Sequence, residues 1–445
     1  MDIAAEISPQ QETTLNYPSQ SALSGILNFI PYYTNYLPFL GKLSDKHGDI
    51  VPFCAKGERI WLVNDIDTIE HILIKNPDNY LRGTGFSKLR MLLGEGLLSS
   101  DGAHHKRHRT MAQPSFHKRS IEGYGNLIDE CVKEKIDEWN DGSEIDIQDE
   151  SVDLFLKVII RLLFGNDKNG ELLSMGKYFD SLTYNYKAIM LVGFNNITRK
   201  LPFKWVDEFY VLKEKYDETI YKLIKERSLN PKDDNSILSL LMDARDSDGK
   251  GFTDEELRDE LTTLYFAAYD TSARTLTWAV YLLTQNPDVK KKITSLEEES
   301  AIEYANMIIS EALRIYPPAH SITRVTKDDD STGKVKFRGG DSVIICPYHL
   351  HRDSRYFDRP LEFLPERWSK ENKKNIKRFS YLPFGAGIRS CMGEYFARMQ
   401  VASALLQLCK EYDFSIVNNQ KIKESPSLTL KPSKRFNIKL TALTK

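Results

Sequence analysis

Cysteine is scarce in this sequence, and its spacing shows no pattern of pairs. The 445 residues include five cysteines, and no two of them form a C-x-x-C motif. An odd number of widely spaced cysteines does not fit a disulfide framework, and the missing motif argues against structural zinc. This usage fits a reducing compartment, so we expect a cytoplasmic protein.

Long apolar runs are also missing. The first 20 residues contain Asp2, Glu6 and Glu12 and have no apolar core, so they fit neither a secretory signal nor a membrane anchor. The most apolar early stretch, residues 22–40, is interrupted by asparagine and proline and falls short of the ~20 apolar residues that a span requires. The sequence therefore predicts no membrane span.

Neither sign of charge is in excess, because 61 lysine and arginine residues stand against 63 aspartate and glutamate residues. A net charge of -2 argues against a protein that binds nucleic acid. The sequence also has no internal repeat and no low-complexity segment. Its composition is that of an ordinary globular protein.

Helical periodicity dominates the chain, and the apolar runs that predict strands are short. The predicted strands lie at residues 50–55, 59–63, 335–337, 342–346, 428–430 and 436–440. The first two form a hairpin. No polar loop is long enough to be a domain linker. We therefore expect a mainly α fold with small β-sheets in one domain, residues 1–445, with a flexible N-terminus over residues 1–20.

The clearest predicted helix runs from Thr253 to Gln285. Thr253 and Glu256 form a capping box at its start, and Asn286-Pro287 stops it. Its middle is apolar on most sides, which predicts that it is buried. A polar side chain in that middle therefore needs a partner or a purpose.

Asp270 and Thr271 are two such side chains. One interpretation pairs Asp270 with Arg274 one turn later and lets Thr271 bond back to Ala267. The other interpretation gives the polar pair a chemical role, since Ala267 and Ala268 leave room for a flat or bulky group to approach the backbone. The residues alone leave both interpretations open.

The strongest chemical signal is the segment 383–393, P-F-G-A-G-I-R-S-C-M-G, which runs into a predicted helix from Glu394 to about Cys409. Cys391 thus lies near a helix N-terminus, where the helix dipole and unpaired N–H groups lower the pKa of a thiol. The glycines let the loop fold back toward the sulfur, and Arg389 adds a fixed cation. This pattern indicates a thiolate ligand or a nucleophile, whereas we interpret the other four cysteines as structural.

A single thiolate in a basic segment, with no second sulfur ligand, fits iron in a porphyrin better than zinc or an iron–sulfur cluster. Residues 384–393, F-G-A-G-I-R-S-C-M-G, resemble the haem-binding signature F-x-x-G-x-R-x-C-x-G of the cytochrome P450 family. Four further family elements occur in the right order from about residue 100. The resemblance implies haem b with Cys391 as the iron ligand, in a triangular helical fold with the haem between the long central helix and the helix after the cysteine.

Glu311-Ala312-Leu313-Arg314 is similar to the E-x-x-R motif of the family, which implies a bond from this pair to Arg367 in a later loop. Without the resemblance, Glu311 and Arg314 would be read as a surface pair worth less than ~1 kcal/mol. His351 lies where the family has H-R-D, and we interpret it as structural.

Residues 267–272, A-A-Y-D-T-S, resemble the oxygen-binding stretch A/G-G-x-D/E-T-T/S of the family. Ala268 departs from the pattern, because the family usually has glycine there. The resemblance implies that Asp270 and Thr271 are the catalytic residues that deliver protons during oxygen activation. It also places Ala267 beside the cofactor.

Residues 101–109, D-G-A-H-H-K-R-H-R, resemble the family helix that carries W-x-x-x-R. His105 takes the place of the tryptophan and Arg109 that of the arginine. The resemblance implies that both donate to a haem propionate. We interpret Lys106 and Arg107, which lie between them, as a solvated basic face.

The other cofactor-binding residues follow from the same resemblance. Arg324 corresponds to the arginine that meets the second propionate, and Arg389 assists. Phe384 would shield the sulfur, while Gly385 and Gly393 belong to the loop around it.

The resemblance implies a haem-thiolate monooxygenase that inserts one oxygen atom of O2 into a small, largely apolar organic substrate. No glycine-rich dinucleotide fingerprint and no ferredoxin-type cysteine run occurs in the sequence. Electrons would therefore come from a separate ferredoxin or flavodoxin with its NAD(P)H reductase. The alternatives are a haem-thiolate isomerase or peroxygenase, and a non-enzymatic haem-based sensor.

By resemblance, the substrate pocket is lined by residues 83–98, 178–203 and 319–323 and by the C-terminal hairpin. These segments are rich in leucine, phenylalanine and tyrosine. They indicate a fatty acid, terpenoid or polyketide.

Overall fold

The computed structural model describes residues 22–55, 57–165, 170–183, 204–231 and 234–443. Most of its regular structure is helical, as the periodicity predicts. The helices are α1 (Ala22–Thr34), α2 (Tyr36–His47), α3 (Ile66–Glu70), α4 (Thr84–Leu93), α5 (Gly102–Ala112), α6 (Lys118–Glu122), α7 (Gly125–Ile136), α8 (Ile147–Phe164), α9 (Gly170–Thr183), α10 (Lys204–Leu229), α11 (Ile237–Asp243), α12 (Asp254–Gln285), α13 (Pro287–Thr294), α14 (Glu298–Ile315), α15 (Pro347–Leu350) and α16 (Glu394–Glu411).

The strands are short. They are β1 (Ile50–Ala55), β2 (Glu58–Val63), β3 (Tyr80–Arg82), β4 (Glu144–Asp146), β5 (Ile322–Thr326), β6 (Asp330–Ser331), β7 (Lys336–Phe337), β8 (Ser342–Ile345), β9 (Tyr412–Ile416), β10 (Glu424–Pro426), β11 (Leu430–Pro432) and β12 (Asn437–Ala442). They form one five-stranded sheet in the order β1-β2-β8-β5-β3, one three-stranded sheet in the order β4-β12-β9, and the pairs β6-β7 and β10-β11.

The first of two compact units comprises residues 22–83 and 323–346 of the described chain. The predicted hairpin is present as β1 and β2, which pair antiparallel from Ile50↔Val63 to Ala55↔Glu58. β2 also pairs in parallel with β8, with Ile60 opposite Ser342. Parallel partners need a long connection, which explains why segments so far apart in the chain share this sheet.

The second unit comprises the described residues of 84–322 and 347–443, and its core is built around α12. The capping box of Thr253 and Glu256 is present, and the helix ends at Gln285 as predicted. α12 packs against α8, α14 and α16. Its middle is buried on most sides, so threonines there satisfy their hydroxyls by donating to carbonyls one turn earlier, as Thr277 does to Ala273 at 2.7 Å.

The predicted fold class, mainly α with small β-sheets, is confirmed. The last two predicted strands, residues 428–430 and 436–440, are displaced by at most two residues. In the structure, β11 begins at Leu430 and β12 at Asn437. A single domain over residues 1–445 stays a prediction. The predicted flexible segment 1–20 and residues 184–203 of the predicted pocket lie outside the described residues.

Glu311 and Arg314 form a buried network instead of the surface pair that their types alone indicate. Both side chains are fully buried, and Arg314 Nε and Nη2 donate to the two carboxylate oxygens of Glu311 at 2.9 and 2.8 Å. Arg314 also donates to the carbonyls of His351, Pro360 and Glu362. Arg367 lies 3.5 Å from Glu311, as the resemblance implies.

Trp368 completes the shell around the Glu311 carboxylate, donating to it at 2.8 Å. Every carboxylate oxygen and every guanidinium N–H of this ion pair therefore has a partner. A buried pair is tolerated only under this condition, because each charge has lost its water.

Replacing Arg314 by methionine is expected to lower the free energy of unfolding by roughly 3–5 kcal/mol, because it leaves the Glu311 carboxylate buried and uncompensated. Urea unfolding measures the change. Arg359→Met is the matched control, since Arg359 pairs with Glu362 while both side chains are 57% exposed. We expect less than ~1 kcal/mol for that exposed pair. Equal losses for the two variants would show that the buried pair is no more important to stability than the exposed pair.

Candidate functional site

The loop before α16 folds back on itself and presents Cys391. Gly385 and Gly387 adopt positive φ angles of 67° and 69°, a conformation that L side chains rarely adopt. Between them and the helix, the Cys391 N–H donates to the Phe384 carbonyl at 2.9 Å. α16 begins at Glu394, so Gly393 is its N-cap residue. The N–H of Gly393 donates to the Cys391 sulfur.

Cys391 is exposed as a residue, but many protein atoms surround its sulfur. The other described cysteines are buried or half-buried. Burial raises the pKa of the Cys391 thiol to about 11. The hydrogen bond from the Gly393 N–H and the charge of Arg109 lower this pKa, but by less. The predicted lowering of this pKa is thus wrong for the protein groups alone, because desolvation outweighs the helix terminus.

The donor set around Cys391 fits a cofactor that needs one sulfur ligand. Among the described residues, the group spaced to hold a metal ion is His104, His108 and Glu256, and it does not include Cys391. Tetrahedral zinc would require three more ligands. A lone thiolate is the protein ligand of a haem-thiolate centre, where iron supplies the positive charge that the thiol needs to ionise.

Two arginines connect the cysteine loop to α5. Arg109 donates from Nη1 to the Ser390 carbonyl at 2.9 Å and from Nη2 to the Ser390 hydroxyl at 3.2 Å. Arg389 donates to the Ser100 carbonyl at 2.7 Å and to the Asp101 carboxylate. The structure thereby brings Arg109, Arg389 and Cys391 together, as the sequence predicts.

His105 lies one turn before Arg109 on the same face of α5, and it is buried. Its neighbour Arg107 is not part of a solvated basic face, so that prediction is wrong. Arg107 donates to Asp246, to Glu256 at 2.8 Å and to the Gly251 carbonyl at 2.8 Å. Lys106 is exposed, as expected.

His108 is a second buried histidine of α5, and it bonds to α12. Its Nδ1 lies 2.7 Å from Glu260 and its Nε2 3.2 Å from Glu256. Burial lowers the pKa of His108, but the bonds and charges of the two carboxylates raise it further, so the net shift is upward. His108 has no role among the residues that the sequence predicts for the site, although its spacing from His104 and His105 places three histidines within two turns.

The middle of α12 has an accessible site on an otherwise buried helix. Ala267 is exposed and Thr271, one turn later, is half-buried. α16 reaches the same region, because Gln400 donates to the Ser272 hydroxyl at 2.6 Å. The small side chain of Ala267 therefore leaves open surface beside Thr271, which fits a flat group approaching this face.

Both contacts that the residue pattern of α12 predicts are present. Arg274 Nη2 lies 2.8 Å from Asp270, and the Thr271 hydroxyl donates to the Ala267 carbonyl at 2.8 Å. Asp270 has another partner, Thr429, whose hydroxyl donates to it at 2.7 Å. Ordinary helix contacts thus exist at this site, and the accessible face of Thr271 leaves a chemical role available.

Arg324 belongs to the first unit, where it lies on β5 opposite Arg82. Its Nη1 donates to the Thr323 carbonyl at 2.8 Å, and the residue is buried. Its contact with a propionate stays a prediction. In the second unit, the Phe384 ring lies 5.0 Å below the Arg398 guanidinium.

The predictions omitted several polar residues of the site. Asp101 and Ser390 hold the two arginines, and Asp180, Thr429 and Lys431 surround the acid of α12. Only Asp101 has a local signal, because an aspartate before a helix is a typical N-cap residue. The other four depend on contacts between distant segments.

The cysteine loop and the mainly helical fold are those of the haem-thiolate class. A family model described as Cytochrome P450 matches residues 18–440. The chain belongs to the cytochrome P450 family, and its enzyme class is P450 monooxygenase. The family implies a haem cofactor, an organic substrate, O2 and a redox partner.

Two relatives come from Streptomyces melanosporofaciens. Cyclooctatin synthase is 28% identical over 408 residues, covering 88% of this chain and 89% of that protein. Cyclooctat-9-en-7-ol 5-monooxygenase is 29% identical over 382 residues, covering 82% of each chain. The Mus musculus protein Cytochrome P450 4V2 is 30% identical, covering 79% of this chain and 74% of that protein.

The crystal structure of the cytochrome P450DA heme domain superposes with a TM-score of 0.82 at 20% identity, covering 96% of this chain and 97% of that one. This likeness concerns the fold. Across the part of the chain that the structure describes, none of the helices combines the length and apolar character needed to span a bilayer.

Replacing Cys391 by serine is expected to abolish the strongly red-shifted Soret band of the reduced carbon monoxide complex, because that band requires a thiolate ligand. Absorption spectra of the reduced protein under carbon monoxide measure it. Cys54→Ser is the control, since Cys54 is a half-buried cysteine of the first unit. A retained band in Cys391→Ser would refute the ligand assignment.

Proposed function

We propose that this protein binds haem b through Cys391 and inserts one oxygen atom of O2 into a largely apolar terpenoid. Electrons come from a separate ferredoxin or flavodoxin with its NAD(P)H reductase. The observation that carries the proposal is the exposed residue Cys391 in its signature loop, together with the open face of α12 at Ala267 and Thr271. All five cysteines are free, which supports a reducing, cytoplasmic location.

The names of two relatives narrow the substrate class. Cyclooctat-9-en-7-ol 5-monooxygenase is named for an unsaturated alcohol, and pentalenene oxygenase of Streptomyces avermitilis, 25% identical over 421 residues, for an unsaturated hydrocarbon. Both names support a terpenoid over the fatty acid and polyketide that the sequence also allows. An optical titration with pentalenene and related terpenoids tests this, because a substrate that displaces water from the iron shifts the Soret band.

A haem held by Cys391 would supply the iron chemistry that activates O2, while O2 is the oxidant and the redox partner supplies two electrons. Arg109 and Arg389 lie on or beside α5 and would neutralise the haem carboxylates, and His105 would donate a hydrogen bond to one of them. Arginine suits this role because it stays charged and forms two parallel bonds with a carboxylate. Phe384, whose carbonyl accepts from the Cys391 N–H, would shield the sulfur.

The two polar residues of α12 have different tasks in this proposal. The Thr271 hydroxyl holds a water molecule on the accessible face of the helix by accepting a hydrogen bond from it. Asp270 is buried one residue away, and by changing rotamer it can carry protons inward from bulk solvent. Because the Thr271 hydroxyl donates its proton to the Ala267 carbonyl, its oxygen lone pairs remain available to accept a hydrogen bond from that water.

Thr271→Ala is expected to bind haem and substrate normally but to release peroxide instead of product, because the held water is lost. Asp270→Asn is expected to slow turnover by roughly 100-fold or more, with coupling less affected. Oxygen uptake, peroxide and product are measured together. The matched control is Thr275→Ala, since Thr275 donates to the Thr271 carbonyl by the same back-bond at 2.8 Å. Normal turnover and coupling in both variants would favour the alternative functions, a haem-thiolate isomerase or a haem-based sensor.

An exposed basic patch beside the cysteine loop is the expected docking face for an acidic electron donor. Lys118 pairs with Glu122 at 3.6 Å and lies 5.8 Å over the ring of Tyr395, four residues after Cys391. Lys106 and Arg119 are also exposed. Lys118→Glu with Lys106→Glu is expected to slow reduction and to flatten its dependence on salt, because steering acts over a Debye length of ~10 Å.

Lys222→Glu on α10 is the control for this experiment. Lys222 is similarly exposed and also pairs with a glutamate one turn later, at 3.9 Å. Stopped-flow reduction at several salt concentrations compares the variants. Equal rates and salt slopes for the wild type and the double variant would place the docking face elsewhere.

A further inference from the structure

Two histidines of α5 and one glutamate of α12 lie close enough together to share a metal ion. One ring nitrogen of His104, one of His108 and one carboxylate oxygen of Glu256 all lie within 4.8 Å of one another. His104 and His108 are one helical turn apart, the spacing at which two imidazoles on one face of a helix bind the same zinc ion. We call these three residues the histidine–glutamate site. They belong neither to the cysteine loop nor to the residues proposed to act on oxygen.

The distance between His108 and Glu256 is that of two ligands of one ion. His108 Nε2 lies 3.2 Å from Glu256 Oε1. Two ligand atoms that each lie ~2.0–2.1 Å from a tetrahedral zinc ion are roughly 3.3–3.4 Å apart. This pair therefore needs almost no movement to bind zinc. His104 is the exposed member of the site, so its ring is free to turn toward the ion.

Each histidine already has an oxygen acceptor on its other ring nitrogen. His108 Nδ1 lies 2.7 Å from the fully buried Glu260, and His104 Nε2 lies 3.0 Å from the Glu95 carbonyl. A zinc-binding histidine almost always donates its second N–H to a carboxylate or a carbonyl, which fixes the ring and leaves the first nitrogen unprotonated for the metal. Both rings are thus held in the way that metal-binding histidines are held.

The charges around the site match a divalent cation. Glu256 and Glu260 bond to His108, and Arg107 bonds to Glu256 and Asp246. With both histidines neutral, three carboxylates and one guanidinium leave two negative charges. Arg107 donates to Glu256 Oε1 at 2.8 Å, but a carboxylate oxygen has two lone pairs, so the same oxygen can also bind an ion.

We propose that the histidine–glutamate site binds one divalent transition-metal ion such as Zn²⁺, with His104, His108 and Glu256 as ligands and water as the fourth. Imidazole nitrogens favour zinc, nickel and copper over magnesium and calcium, which prefer oxygen ligands. The ion enters from solvent on the side of the exposed His104. It joins α5 to the first turn of α12, and this site is independent of the proposed oxygen chemistry.

A protonated His108 that holds the two glutamates without any metal is the competing explanation. His104→Ala distinguishes the two, because His104 is exposed and takes no part in the bonds from His108 to Glu256 and Glu260. If His108 acts alone, the variant behaves like the wild type with and without zinc. If the site binds a metal, the variant is as stable as the wild type in EDTA but loses zinc binding.

Calorimetric titration of the EDTA-treated, haem-loaded protein with ZnCl2 measures the site. We expect one equivalent of zinc per chain. Glu260→Gln is expected to weaken binding by ~10–100-fold, the effect of losing an outer partner, and His104→Ala by more than that, because it removes a ligand. His47→Ala is the matched control, since His47 is an exposed histidine of α2, and we expect unchanged binding.

Two further measurements identify the ligands and the effect on the fold. X-ray absorption at the zinc K-edge should show nitrogen and oxygen at ~2.0–2.1 Å, with two imidazoles, and no sulfur at ~2.3 Å. Zinc should raise the thermal midpoint of the wild type and of His47→Ala but not of His104→Ala, because an ion that binds only the folded chain stabilises it. Mg²⁺ at the same concentration should have no effect.

Several results would overturn the proposal. One is the absence of zinc binding by the wild type, and another is binding by His104→Ala as tight as that of the wild type. A sulfur ligand at the K-edge would place the ion at a cysteine instead. An equal thermal shift with Mg²⁺ would show that the imidazoles take no part. None of these measurements needs turnover, so a failure of the proposed function leaves them unaffected.

Discussion

The buried pair of Glu311 and Arg314 holds the segments that lead to the active loop. Arg314 donates to the His351 carbonyl at 2.8 Å, and the His351 ring in turn accepts from the Leu382 N–H at 2.8 Å. Burial, with the charge of Arg314 and Arg352 close by, lowers the pKa of His351 to about 3, so its ring stays a neutral acceptor. The loop that presents the cysteine begins just after Leu382. The position of the Cys391 loop therefore depends on an ion pair that lies on a different helix, α14.

Charged contacts between helices recur wherever the chain needs a defined geometry. His108 binds α5 to Glu260 of α12, and Arg274 binds α12 to Asp180 of α9. Apolar packing alone tolerates small sliding of one helix on another, whereas a hydrogen-bonded ion pair has one good geometry. Each such pair costs desolvation energy, which well-packed apolar residues would avoid.

The parts of the fold and site that the sequence predicts are those with local signals. The capping box at Thr253, the hairpin at Gly57 and the loop around Cys391 are set by residues within a few positions of each other. Six of the described strands, β3, β4, β5, β6, β9 and β10, are not predicted, because two to five residues are too few to show a clear period, whereas β8 is predicted from its continuous apolar run. Lys431 could not be placed either, because its burial depends on partners 157 and more positions away in the chain, which composition and spacing do not reveal.

The three-stranded sheet has a consequence for how this chain is made. β12 is its central strand, with Asn437 opposite Asp146 of β4 and Ile438 opposite Ile416 of β9. About 290 residues separate β12 from β4, so a ribosome must extend the chain by that length before β4 gains its partner. Until then, β4, which directly precedes α8, has no strand to pair with. Pairing between such distant segments is slow, and the unpaired segments are prone to aggregation. Synthesis at lower temperature, which weakens apolar association between unfinished chains, therefore suits this architecture.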